Sequence, residues 1–130
     1  MRERYVRTVL WVLILIFAVA ASAYSIVRHM DHRSATLDLA IQTQVVWNTA
    51  QGRPFASSIE VSNYLADHLS LVLGLLAPLY WVWPDVRLLL AFQAAALALG
   101  AYPVYRLARE ETEDPRIGLL LAGVYLLYPA

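Results

Sequence analysis

Cysteine is absent from this 130-residue chain, which excludes disulfides, thiolate metal sites and cysteine nucleophiles together. Net charge is absent as well, ten Lys plus Arg being balanced by ten Asp plus Glu. With no excess of positive charge and no dense basic run, nothing marks a nucleic-acid partner. No P-loop, G-x-S-x-G, H-E-x-x-H or dinucleotide fingerprint occurs, so nucleotide-driven transport and the common hydrolase chemistries lack support. Low-complexity tracts and fixed-period repeats are missing too. Polar sequence is scarce: A, V, I, L, M, F, W, Y and C make up 60% of the chain, against about 45–50% apolar usage in soluble domains. The composition therefore implies an all-α, polytopic membrane protein, with too little chain left over for a separate soluble domain.

Arg2, Arg4 and Arg7 precede an apolar run over 8–27, first of the expected spans, which at 1.5 Å per residue suffices to cross about 30 Å of hydrocarbon. The positive-inside rule puts that end in the cytoplasm of a multi-pass cell-membrane protein. Ala21-Ser22-Ala23 also mimics a signal-peptidase site, the competing reading of this stretch. Further spans are expected over 69–83, which is short, and over 88–107, whose many small residues let helices approach closely. Gln93 inside that third span is expected to bond a neighbouring helix. A fourth apolar run begins at 117 and stops at 130 without a polar flank, which suggests an amino-terminal fragment of a longer polytopic chain. Counting crossings puts 28–68 outside, 84–87 inside and 109–116 outside. That last placement sets Arg106, Arg109 and Arg116 against the positive-inside rule, and a re-entrant 69–83 would return them to the cytoplasm.

The one long stretch too polar to span is 34–68. Within it Thr36 to Ala50 (TLDLAIQTQVVWNTA) has helical character, with Asp38, Gln42 and Thr49 on one narrow stripe of an otherwise apolar juxtamembrane helix. Such a seam is expected to face water, a metal ion or a substrate. Gly52 and Pro54 should stop the helix, Gly in a left-handed cap and Pro through its missing amide. Glu60, Asp67 and His68 then lead back to the bilayer. His29 and His32, three apart, have a spacing compatible with one metal ion, against a simpler role as hydrated residues at a helix end.

The words YSIVRH (24–29), LDLAIQTQVVWNTAQGRPFASSIE (37–60), NYLADH (63–68), LLAPLYWVWP (75–84) and GAYPVYRLARE (100–110) resemble the amino-terminal part of domain-of-unknown-function family 2079, a group of prokaryotic membrane proteins. The usual pattern there after the first span is close to F-D-L-G-I-F-D-Q. Here Leu37 to Gln44 keep the first acidic position at Asp38 and have Thr43 at the second, leaving one carboxylate on this helix. That family is in turn distantly similar to the C-type membrane glycosyltransferases. The likeness implies a lipid-phosphate-linked sugar donor, an acidic residue on the first extracytoplasmic loop acting as base or metal ligand, and a role for Asp38 in that position.

Glycosyl transfer of this kind needs a carboxylate that deprotonates an acceptor hydroxyl or holds a divalent cation, near the surface where a polyprenyl phosphate presents its sugar; His68 could donate to a phosphate or shuttle a proton, with Asp67 orienting it or binding metal. Asp38, Asp67 and His68 are the catalytic candidates. Asp38 has a structural alternative as a favourable charge in a first helical turn after Thr36, and Asp67 as a cap for the second span. Gln42, Arg53, Glu60 and Arg28 are the candidate substrate contacts, the arginines because a planar guanidinium suits phosphate. The opposing reading is a non-catalytic membrane component, a transporter part or lipid-binding scaffold, with the loop helix as a structural plug.

Overall fold

A computed structural model describes residues 2–33, 36–59 and 62–128, the side chains of Arg2 and Thr36 excepted. The chain is all-helical, in the order α1 (Arg2–Met30), α2 (Thr36–Ala50), a 3-10 turn (Tyr64–Ala66), α3 (Val72–Tyr80), α4 (Val86–Leu99), α5 (Ala101–Thr112) and α6 (Pro115–Leu127). Two continuous stretches, Glu3–Met30 and Val86–Thr112, are long and apolar enough to cross a bilayer. The expected span over 69–83 is different: its helix has nine residues, about 13 Å at the standard rise and well short of a hydrocarbon core. Pro78 lies inside α3 and has no amide to donate, and the chain leaves the helix through tight turns in which Trp81 bonds Pro78 O. Leu75, Leu79, Trp81 and Val82 remain exposed, which suits an element lying in the interface.

The chain divides into two compact units, Met1–Ile26 with Ala91–Ala130, and Val27–Leu90. In the first, Glu3 pairs with Arg109 (Oε1 to Nη2, 2.8 Å) and the Trp11 ring stacks on Tyr102 at 5.5 Å. Moving forward along α1 thus means moving backward along α5, so the two helices are antiparallel and the start of α1 lies beside the end of α5. The count of crossings had set 109–116 on the opposite face from the amino terminus, whereas here Arg109 lies beside Glu3. Between these contacts, Val6, Leu10 and Ile14 recur at helical spacing and join Ala98, Ala101, Tyr105, Ala122 and Leu126 in one core. Of the small residues in this stretch Ala94, Ala98 and Ala101 are buried and Ala96 is exposed, whereas Gln93 is exposed and makes no interhelical bond among the described residues.

A hairpin closes this unit. Asp114 accepts from the Arg116 amide at 2.8 Å and Pro115 occupies the first turn of α6, the arrangement that starts a helix cleanly. Gly118 then lets α6 lie against α5, for a Cβ there would stand 2.8 Å from Tyr105 O. Gly100 marks the joint between α4 and α5, where the Tyr125 hydroxyl donates to Leu97 O at 3.0 Å and occupies the space of a side chain at position 100. Pro103, two residues into α5, removes a further amide near the same joint.

Gly118→Leu should therefore force α5 and α6 apart and cost about 1–3 kcal/mol, read as a lower melting temperature in detergent. Gly123→Ala, where nothing lies within 4 Å of the added carbon, should lose nothing and gain up to about 1 kcal/mol from helix propensity.

Candidate functional site

The unit Val27–Leu90 holds most of the residues singled out above, and α2 organises it. Its bounds coincide with those expected from sequence. It ends in a Schellman cap: Gly52 has φ 76°, its amide bonds Thr49 O at 3.1 Å, and the Arg53 amide bonds Asn48 O at 2.9 Å. The buried face of α2 carries Ile41, Val45 and Val46, packed with Tyr64, Leu73, Leu76, Tyr80 and Leu89. Trp81 ties the end of α3 to the end of α2 by donating its indole N–H to Ala50 O at 2.8 Å.

The polar residues of α2 are used differently from the expectation. The loop after the cap folds back along the helix and is held by three side chains. Gln44 accepts from the Ser58 amide (3.0 Å) and donates to Ser58 Oγ (2.7 Å), Asn48 donates to Ala56 O (2.8 Å), and Thr49 accepts from the Phe55 amide (2.9 Å). Ser57, buried, adds a longer bond to Gln44. The loop then closes through an antiparallel bridge between Ala56 and Asn63, and Tyr64 N bonds Phe55 O at 2.8 Å. Thr49 of the expected seam thus faces the chain's own backbone. Sequence reading missed Gln44 and Asn48, although their spacing of four places them on one face of the helix.

Asp38 is exposed in the first turn of α2, where a carboxylate favours a helix amino terminus, and Gln42 is half-buried. Neither takes part in the arrangement at 67–68. There, His68 Nδ1 lies 3.1 Å from Asp67 Oδ2, and the imidazole stacks on the Tyr64 ring with centroids 5.0 Å apart and planes 7° from parallel. Asp67 closes the 3-10 turn at Tyr64–Ala66; α3 begins after Leu71 with no side-chain cap, so the expected capping role for Asp67 is not the one it has. With Nδ1 engaged, Nε2 is the ring nitrogen left for a ligand, and the partly exposed ring is held in orientation by its two neighbours.

Arg53 stands over the Trp47 ring, 5.4 Å from its centroid, and makes no ion pair among the described residues. Arg28 donates to Arg33 O at 2.9 Å. Glu60 lies outside the described residues. Among the described residues no group of three His, Asp or Glu is placed to hold a metal ion, His29 and His32 included. Asp85 caps α4, accepting from the Arg87 amide (2.8 Å) and guanidinium (3.1 Å). Those bonds, the amide first, hold its carboxyl below the usual range, and the nearby His29 adds to the effect. Beside α2 opens a pocket of about 430 Å³, walled mainly by Leu39, Ala40, Thr43, Trp47, Tyr80 and Val86.

Removing the Asn48 amide tests the loop anchor. Asn48→Leu leaves the Ala56 carbonyl without its partner and should cost about 1–3 kcal/mol, with faster chymotryptic cleavage after Phe55 while the helical circular dichroism is kept.

In comparison with known proteins, residues 28–130 match a family model described as a predicted membrane protein, DUF2079. No curated protein and no solved structure matches the chain.

Proposed function

The chain belongs to the DUF2079 family of membrane proteins, and from that premise we propose that it forms part of a C-type-like glycosyltransferase acting on a polyprenyl-phosphate sugar at the extracytoplasmic face. The observation that carries the reading is the Asp67–His68 pair, its imidazole clamped against Tyr64 with Nε2 available. In the reaction, Nε2 takes the proton of an acceptor hydroxyl as that oxygen bonds to the sugar's anomeric carbon. The bond from that carbon to the phosphate oxygen breaks, and polyprenyl phosphate leaves with the electron pair. Asp67 orients the ring and stabilises the imidazolium. Asp38, on the position that matches the family's acidic residue, is the second candidate for the same proton. Arg53, Arg28 and Gln42 are the candidate contacts to the donor.

The same reading fixes an orientation. The Glu3–Arg109 pair supports placing Arg4, Arg7, Arg106 and Arg109 together on the cytoplasmic side, in accord with the positive-inside rule. The chain crosses outward in α1 and returns through α4 and α5, leaving 31–85 outside with α3 in the interface.

A non-catalytic scaffold is the second reading, favoured by one observation: α2 spends Gln44, Asn48 and Thr49 on its own loop. Transfer assays on the full-length protein separate the two. His68→Ala should lower sugar transfer by about 10²–10⁴-fold at unchanged expression, and Asp38→Asn shows whether that carboxylate shares the work. Undiminished transfer in both variants removes these residues from the chemistry. Orientation is tested separately, with single cysteines placed in this stretch, which has none of its own. With an impermeant maleimide, Glu111→Cys should label from the same side as Arg4→Cys, and Ser62→Cys from the other.

A further inference from the structure

The first turns of α1 carry a charged cleft that sugar transfer does not use. It is open, measures about 560 Å³ and is lined by Glu3, Arg4, Arg7, Thr8 and Trp11. Both guanidiniums belong to its wall, and neither makes an ion pair among the described residues. The neighbouring carboxylates are committed elsewhere: Glu3 to Arg109 at 2.8 Å, and Glu110 to Arg106. The Thr8 hydroxyl is spent as well, donating to Arg4 O at 3.0 Å. Arg4 and Arg7 therefore leave the cleft with uncompensated positive charge. Below them the surface turns apolar. Trp11 and Leu15 lie seven and eleven residues after Arg4, on the same helical face. The indole is stacked on Tyr102, and Leu15 is 64% exposed. From Arg4 to Leu15 the face runs about 16 Å at the helical rise, charged at one end and greasy at the other. It stands at the start of Glu3–Met30, a stretch long and apolar enough to cross a bilayer. The guanidiniums thus fall at headgroup level, and the indole where interfacial tryptophans sit.

We propose that this cleft binds an anionic phospholipid of the surrounding bilayer, its phosphate between Arg4 and Arg7 and an acyl chain over Trp11 and Leu15. Two guanidiniums without carboxylate partners call for a phosphate, and for a head that carries no cation of its own to face them. The apolar continuation calls for a phosphate with a hydrocarbon chain attached, and at this depth the bilayer itself is the source. The site is independent of the transferase reading, since a scaffold would hold the lipid equally well.

Native mass spectrometry of the full-length protein, supplied with phosphatidylglycerol and phosphatidylcholine of identical chains, tests it. Phosphatidylglycerol should be retained in preference. Arg4→Gln and Arg7→Gln should each cut that preference about fivefold, the worth of one basic side chain near an anionic surface. Replacing both by lysine should keep most of it. Arg116→Gln, at an exposed arginine that lines no part of the cleft, should leave it unchanged. Glycerophosphoglycerol, the same head without chains, should fail to displace the lipid. Equal retention of the two lipids by the unmodified protein overturns the proposal. So does a loss on Arg116→Gln as large as that on Arg4→Gln, which would mark a diffuse charge effect, or displacement by glycerophosphoglycerol at equal concentration, which would mark a site for phosphate alone. Sugar transfer by the same variants is read separately, so failure here leaves the transferase reading standing, and failure of transfer leaves the lipid site standing.

Discussion

Irregular backbone folded against a helix must find hydrogen-bond partners, and the segment 51–59 finds several of them on α2. An apolar helix would ordinarily have nothing to offer a returning loop. Here Gln44, Asn48 and Thr49 present amide and hydroxyl groups on the face where 55–58 passes, so the loop is bonded to the helix at Phe55, Ala56 and Ser58. The parts of this unit that follow inherit their positions from that capture. The Ala56–Asn63 bridge sets where Tyr64 enters the core, Tyr64 supports the His68 ring, and Phe55 fills the space that Gly74 leaves open in α3.

The unit containing the spans solves a different problem. Between helices in lipid there is little hydrophobic force to exploit, so close contact of small residues must hold them together. Ala98, Ala101, Ala122 and Gly118 supply that contact around the Tyr105 ring. The exposed ion pairs at the end of α5 are screened by water and add little energy. Their value is geometric: Glu3 with Arg109, and Arg106 with Glu110, gather charges from the first turn of α1 and the end of α5 in one place.

Much of this was legible in the residues. Helix α2, its Gly52 cap, the long first helix and the small-residue packing of the third apolar stretch follow from periodicity and from what glycine and proline permit. The stretch 69–83 misled because hydropathy counts apolar residues without asking whether the backbone can stay helical. Its flanks and Pro78 cut the helix to nine residues. The seam on α2 misled for another reason. Periodicity says which side chains share a face, and the exposed Asp38 did lie near Gln42 on such a stripe. Where a loop returns is a long-range fact, however, and it was Gln44 and Asn48 that met it. The pairing of Asp67 with His68 was suggested by adjacency alone; the clamp by Tyr64, four residues before His68, needed the 3-10 turn to bring the rings parallel.

The joint at Gly100 has a mechanical meaning. A crossing made of two short rods, with a glycine between them and a proline just beyond, yields at the joint before it yields along either rod. The Tyr125 hydroxyl resting on Leu97 O acts as a latch on that joint. Gly100 itself keeps helical dihedrals (φ −58°, ψ −22°), so the two rods continue as one crossing, pinned by that bond at its least supported turn.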